Sequence, residues 1–204
     1  MAYEKPIKIK EAIASIEDGD YVLPAIQREF VWNTDQIVTL FDSLMRDYPI
    51  STFLFWQVKA KDVGNFKFYS FLRDYHERDQ THNDEATLSG NNDIIAILDG
   101  QQRLTSLYLA LRGSYASKLS YYRKTSDYAY PKKRLYLNLL SQSDAVDQEY
   151  DFQFLSDEDA KEVSTQCWDS GQPAASLRPS IDLLYNLEQL INPSRLTHAL
   201  AQFG

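Results

Sequence analysis

The run Ile94–Leu111, IIAILDGQQRLTSLYLAL, leaves this chain few ways to fold. Ile94 to Leu98 are five apolar residues, three of them isoleucine, the length and branching of a strand buried on both faces. Asp99-Gly100 stops that strand with a turn, and a helix follows at once. Leu104, Leu107, Tyr108 and Leu111 recur at helical spacing, which predicts one inward face, with Gly113 as a left-handed stop. At the corner sit Gly100, Gln101, Gln102 and Arg103, where the first helical turn leaves backbone N–H groups without partners. Such a turn attracts anions. Arg103 can grip a phosphate with two prongs, Gly100 allows close backbone approach, and Asp99 can hold a metal or orient a water. A plain strand-to-helix corner, with Asp99 as the cap and Arg103 paired to a surface acid, fits the same residues. Local physics leaves both readings open.

The 204 residues suffice for one large domain, or one domain with a helical extension, and for a sizeable core. No run approaches the ~18 to 20 apolar residues of a membrane helix, and the N-terminus has no apolar signal core, so a cytoplasmic protein without membrane contact is expected. One cysteine, Cys167, excludes an intramolecular disulfide framework and a multi-cysteine zinc site. The net charge of −8 argues against a nucleic-acid partner until it is divided along the chain. From Ser141 onward three Lys/Arg face eleven Asp/Glu, which leaves eighteen of each before it. Within the neutral part, Lys118, Arg123, Lys124, Lys132, Lys133 and Arg134 interleave with Tyr121, Tyr122, Tyr128 and Tyr130. Cations alternating with aromatics suit a surface that tracks a DNA backbone and stacks bases; a solvated tyrosine-rich loop is the alternative.

In chain order, Ile7 to Glu17 reads as a short amphipathic helix closed at Gly19, and Tyr21 to Ile26 as a strand interrupted by Pro24, which suits an edge or the strand's end. Gln27-Arg28 then precedes Phe30 and Trp32, offering phosphate donors beside two packing aromatics. Asn33 or Thr34 caps a helix with the stripe Ile37, Leu40, Phe41 and Leu44, on which Asp42-Ser43 is expected to face solvent. Thr52–Val58 and Phe66–Leu72 are expected as a hairpin through Gly64-Asn65, and Arg73–Asp93 as a polar loop rather than a histidine metal site. Strands are expected at Arg134–Leu140 and Asp151–Leu155, then an acidic helix opened by Ser156 and Asp159, a helix over Ser176–Leu190 and a last segment from Arg195 to Phe203. Cys167 and His198 read as packing or surface residues. The helical pattern running up to Gly204 predicts a fragment of a longer protein. No P-loop, GxSxG elbow or HExxH motif is present.

Two motifs, LPAIQREFVW at Leu23–Trp32 and ILDGQQRLTSL at Ile97–Leu107, flank DSLMRDYPISTFLFW at Asp42–Trp56. In this order they resemble the N-terminal domain of the GmrSD family of modification-dependent restriction enzymes, which is related to the ParB and sulfiredoxin nucleotide-binding fold. The resemblance covers roughly Lys8 to Leu155. It implies an α/β (α+β) domain over residues 1–155, a ParB/sulfiredoxin-like mixed sheet flanked by helices, followed by an acidic helical extension over 156–204. It further implies that Gln27, Arg28, Asp99, Gly100, Gln101, Gln102 and Arg103 converge on one nucleotide or phosphodiester site, with a nucleoside triphosphate as the expected ligand. Arg103 and Arg28 would hold phosphates, Asp99 would position Mg²⁺ or the attacking water, and Gln101 and Gln102 would orient the γ-phosphate or that water. In such families nucleotide hydrolysis licenses cleavage of modified or foreign DNA by a separate HNH-type nuclease region or partner subunit. No His-Asn-His pattern of that kind follows residue 160, so this chain alone is not expected to cut DNA. A non-catalytic DNA-sensing module is the rival expectation.

Overall fold

The computed structural model describes residues 6–26, 29–88, 92–169 and 184–186. In chain order the elements are α1 (Ile9–Glu17), β1 (Tyr21–Pro24), α2 (Thr34–Met45), β2 (Leu54–Val58), α3 (Ala60–Val63), β3 (Phe68–Tyr69), β4 (Asp74–His76), β5 (Ile94–Asp99), α4 (Gln101–Arg112), β6 (Ser114–Ala116), a 3₁₀ turn (Asp127–Ala129), β7 (Arg134–Gln142), β8 (Tyr150–Leu155), α5 (Asp157–Asp169) and β9 (Leu184–Asn186). A four-stranded mixed sheet has the order β2-β5-β1-β3, with β1 and β5 parallel and the other two pairings antiparallel. β4 and β6 form a parallel pair, and β7 lies between β8 and β9 in an antiparallel sheet. This is an α+β architecture with a mixed sheet, as expected. No helix among the described residues is long and apolar enough to cross a membrane.

The start signals act where the sequence puts them. Asn33 accepts the Gln36 N–H at 2.9 Å while the Gln36 side chain accepts the Asn33 N–H at 3.1 Å, a reciprocal cap that fixes the entry to α2. Ser156 and Asp159 cap α5 in the same way. One core gathers Ile13 and Ile16 of α1, Ile37 and Phe41 of α2, Ile97 of β5, Leu135 of β7 and Phe152 of β8 around α4. A second cluster lies on the other face of the main sheet and holds Val22, Val58, Val63, Phe68, Ile94 and Ala96.

Several expectations need correction. Helix α4 is not amphipathic: every residue from Leu104 to Leu111 is buried, Thr105 and Ser106 included, because α1, α2 and β7 pack around it. Gly113 is not left-handed, having φ −125°; it is needed because a Cβ there would lie 1.7 Å from the Arg73 carbonyl oxygen. β2 and β3 are not a hairpin. Asp93 accepts from the Lys59 ammonium at 2.7 Å and the Ala60 N–H at 3.0 Å, which fastens the start of α3 between them, and β3 pairs with β1. The Arg73–Asp93 stretch supplies β4 and two further bridges, Tyr69 with Glu85 and His76 with Gln80. Residues 184–186, expected in a helix, form a strand on β7, while the rest of Ser176–Leu190 and the Arg195–Phe203 segment lie outside the described residues.

Candidate functional site

β5 is an interior strand, so its end delivers the Asp99-Gly100 turn from a rigid base. Gly100 has φ +88°, and a Cβ there would lie 2.3 Å from the Phe53 ring; glycine is required both by the backbone and by the ring against it. Gly100 itself is the N-cap of α4, with no side-chain cap bond, so Asp99 does not cap the helix. The Asp99 carboxylate is 70% exposed and stands 3.6 Å from Arg103 Nη2.

Arg103 is occupied by main chain. Its Nη1 donates to the Ile50 carbonyl and its Nη2 to the Thr52 carbonyl at 2.9 Å, and the guanidinium lies 4.8 Å from the Phe53 ring centre. Between those carbonyls Ser51 takes φ +70°, an uncommon conformation for a side-chain-bearing residue; one guanidinium accommodates both carbonyls of this turn. The Gln101 amide donates to the Ile97 and Leu98 carbonyls at 2.7 and 3.1 Å, closing the end of β5. Gln102 spans the two motifs: Nε2 donates to the Glu29 carbonyl and Oε1 accepts the Val31 N–H, each at 3.0 Å. Glu29 Oε1 meets His82 Nδ1 at 2.7 Å, and Phe30 is buried in the core. Gln27 and Arg28 lie outside the described residues, but the chain on both sides of them is fastened, by Ala25 N–H to the Lys67 carbonyl and by Gln102 to residues 29 and 31.

The six cations of the basic stretch are dispersed. Lys132 pairs with Asp74 at 3.1 Å and Arg134 with Asp157 at 3.6 Å; the Lys118 ammonium donates to the Leu119 carbonyl. Lys133 is half-buried, its backbone paired with Tyr115. Arg123 and Lys124 are exposed, beside exposed Tyr121, Tyr122 and Tyr128, whereas Tyr130 is buried. Arg78 binds Asp127 at 2.8 Å and lies over Tyr130, which fastens the base of this loop. Burial pushes the Asp74 carboxyl up, but the Ser114 hydroxyl and Lys132 ammonium outweigh it and hold that carboxyl below the ordinary range.

Asp42 was expected at the surface and is buried. Its Oδ1 accepts the N–H groups of Glu149 and Tyr150, both at 2.9 Å, and its Oδ2 meets Arg46 Nη1 at 3.2 Å. Burial raises its pKa, and these donors more than reverse that, leaving it lowered. The visible signal was Val38 four residues earlier, which extends the buried face of α2 onto position 42.

The mixed sheet, the glycine corner and the side-chain bridge between two separated motifs define an α+β domain with its candidate site at a strand-to-helix turn. Residues 9–192 match the model of the N-terminal domain of GmrSD restriction endonucleases, and the chain belongs to that family. An uncharacterised protein of Methanocaldococcus jannaschii is 34% identical over 113 residues, which are 55% of this chain and 18% of that protein's length. The family gives the domain a role related to restriction endonucleases.

Proposed function

We propose that the domain binds a nucleoside triphosphate at the start of α4 and hydrolyses it to control a DNA restriction endonuclease. The observation that carries this reading is Gln102, whose two 3.0 Å bonds hold the turn after Gln27-Arg28 against the first turn of α4. Around that junction lie main-chain N–H groups without a side-chain cap, the Arg103 guanidinium and the exposed Asp99 carboxylate. In hydrolysis a water attacks the γ-phosphorus, the bond to the β-phosphate bridge oxygen breaks, and the diphosphate and inorganic phosphate leave. Asp99 orients the water, the α4 N–H groups and Arg103 take up the phosphate charge, and Arg28 adds a second cation. Mg²⁺ fits the donor set: a single exposed carboxylate suits a small hard cation that otherwise keeps waters and phosphate oxygens. When bound it would neutralise phosphate charge, with Asp99 as its protein ligand.

Calorimetry with the four ribonucleoside triphosphates, with and without Mg²⁺, tests the reading. Mg²⁺-dependent binding that Asp99→Asn weakens and Arg103→Ala abolishes is expected. A folded wild type that binds none of the four overturns it.

A specific observation supports a DNA-contacting role as well. Tyr121 is fully exposed and Tyr128 86% exposed on the loop that carries Arg123 and Lys124. Two phosphate contacts add about 1.8 to the slope of log K against log salt on duplex DNA. Replacing both cations with alanine is expected to remove about that much in anisotropy titrations, and an unchanged slope refutes the contact.

A further inference from the structure

The edge strand β2 packs chiefly against β5, whereas α1 packs on β1 and against α4. On the helix side of β2 and β1 lies a row of rings. Phe53 and Phe55 lie 6.3 Å apart with their planes 22° from parallel, and Tyr21 of β1 adjoins Phe55 at 5.6 Å. Phe55 is 36% exposed. Trp56, by contrast, turns to the opposite face, where it meets Phe66 and Phe68. The row begins at the corner itself: Phe53 fills the space beside Gly100 and carries the Arg103 guanidinium on its face.

Phe55 packs against Phe53 and Tyr21 and is still open to solvent in part. A planar, uncharged group laid on that ring would continue the layers of guanidinium and phenyl that start at the corner. The next ring along, Phe55, lies 6.3 Å from the Phe53 ring. A ligand that places anionic oxygens at the start of α4 and a flat aromatic group one ring further on is a nucleotide, and an inorganic polyphosphate lacks the second part.

Resting on the nucleotide reading above, we propose that Phe55, backed by Phe53 and Tyr21, is the base-stacking platform of the site. The ring reads a base by its area. Purine triphosphates therefore bind more tightly than pyrimidine triphosphates, and both more tightly than inorganic triphosphate. Phe55 is thus a specificity-determining residue, while Arg103 and Asp99 serve the phosphate end.

The test is calorimetry of ATP, GTP, CTP, UTP and inorganic triphosphate with Mg²⁺ on the wild type, Phe55→Ala, Phe55→Leu and Phe55→Trp. Circular dichroism melts of each variant provide the folding control. Base–aromatic stacking implies that Phe55→Ala weakens purine triphosphates by about 5- to 150-fold and leaves inorganic triphosphate unchanged. Phe55→Trp restores purine binding. Phe55→Leu keeps the apolar volume without the ring and is expected to behave like alanine, which covers the case in which alanine impairs folding. Purine affinity within twofold of wild type in folded Phe55→Ala or Phe55→Leu overturns the platform while the phosphate corner stands, and so does a wild type that binds inorganic triphosphate as tightly as ATP. A wild type that binds none of the five ligands overturns both.

Discussion

Asp42 joins two parts of the domain that the sequence keeps far apart, and its removal has a computable cost. The carboxylate lies on α2 with 3% of its side chain exposed, and it satisfies two consecutive amides at the start of β8, where Phe41 and Phe152 meet at 5.8 Å. In Asp42→Ala the Glu149 and Tyr150 N–H groups lose a charged acceptor, each such bond being worth about 1.5–3 kcal/mol. Arg46 keeps other partners, the Asp147 carbonyl and the Tyr48 hydroxyl, so no stranded cation adds to the loss. The two bonds are not independent, and about 3 kcal/mol is the expected destabilisation. For a chain of this size that lowers the melting temperature by about 6–12 °C. Asp42→Asn retains an acceptor oxygen and is expected to cost about 1–2 kcal/mol. Because the folded carboxyl has a lowered pKa, its contribution is complete above the unfolded value of about 3.9 and disappears as pH falls through the folded value. The stability gap between wild type and Asp42→Asn, read from urea melts followed by circular dichroism, therefore narrows from pH 7 to pH 3. A folded Asp42→Ala within 0.5 kcal/mol of wild type refutes the reasoning, as does a gap that widens in acid.

Three other substitutions probe the frame of the site. Gly113→Ala puts a methyl group onto the Arg73 carbonyl, a backbone atom that cannot swing away, so thermal melts are expected to show a loss of at least about 1–3 kcal/mol with β4 and β6 pushed apart; a neutral result refutes the close approach. Gln102→Glu replaces the donor facing the Glu29 carbonyl with a carboxylate oxygen. It is expected to cost only about 1 kcal/mol of stability yet at least tenfold in triphosphate affinity by calorimetry, and equal affinity would separate the Gln27-Arg28 turn from the site. Arg103→Lys keeps the charge but cannot span the Ile50 and Thr52 carbonyls while lying on Phe53. Hydrogen exchange at residues 50–53 is expected to accelerate in that variant, and unchanged protection would show that the guanidinium is not what holds the turn.

The local pattern was enough to read β5, the turn after it and α4, because a short apolar run, a glycine and leucines at helical spacing are all expressed within a few residues, but it left open whether Asp99 caps the helix. It failed wherever a distant group decides. The Phe66–Leu72 hairpin gave way to α3 because Asp93, some thirty residues on, binds Lys59 and Ala60. Periodicity marked one face of α4, whereas burial on all sides comes from α1, α2 and β7, none of which is visible from within the helix. The basic stretch shows a similar limit, since Lys132 and Arg134 meet acids at Asp74 and Asp157 that lie well outside it.

The site residues divide in an informative way. Sequence chemistry marks Arg103, Gln101 and Gln102 as groups for a ligand, and all three are at work on the main chain. Gln101 closes β5, Gln102 holds the turn after Arg28, and Arg103 holds the turn around Ser51. Side chains so fixed give up little freedom when a ligand arrives, which is the physical condition for a preorganised site. An arginine, with five donors in a rigid fork, is the residue type able to brace a loop and still present N–H groups to a phosphate. The bracing partners are then as decisive as the ligand donors. Residues 50–53 and 29–31 set where the guanidinium and the Gln102 amide point, and they join the proposed phosphate corner to Phe53 and, through it, to the ring at position 55.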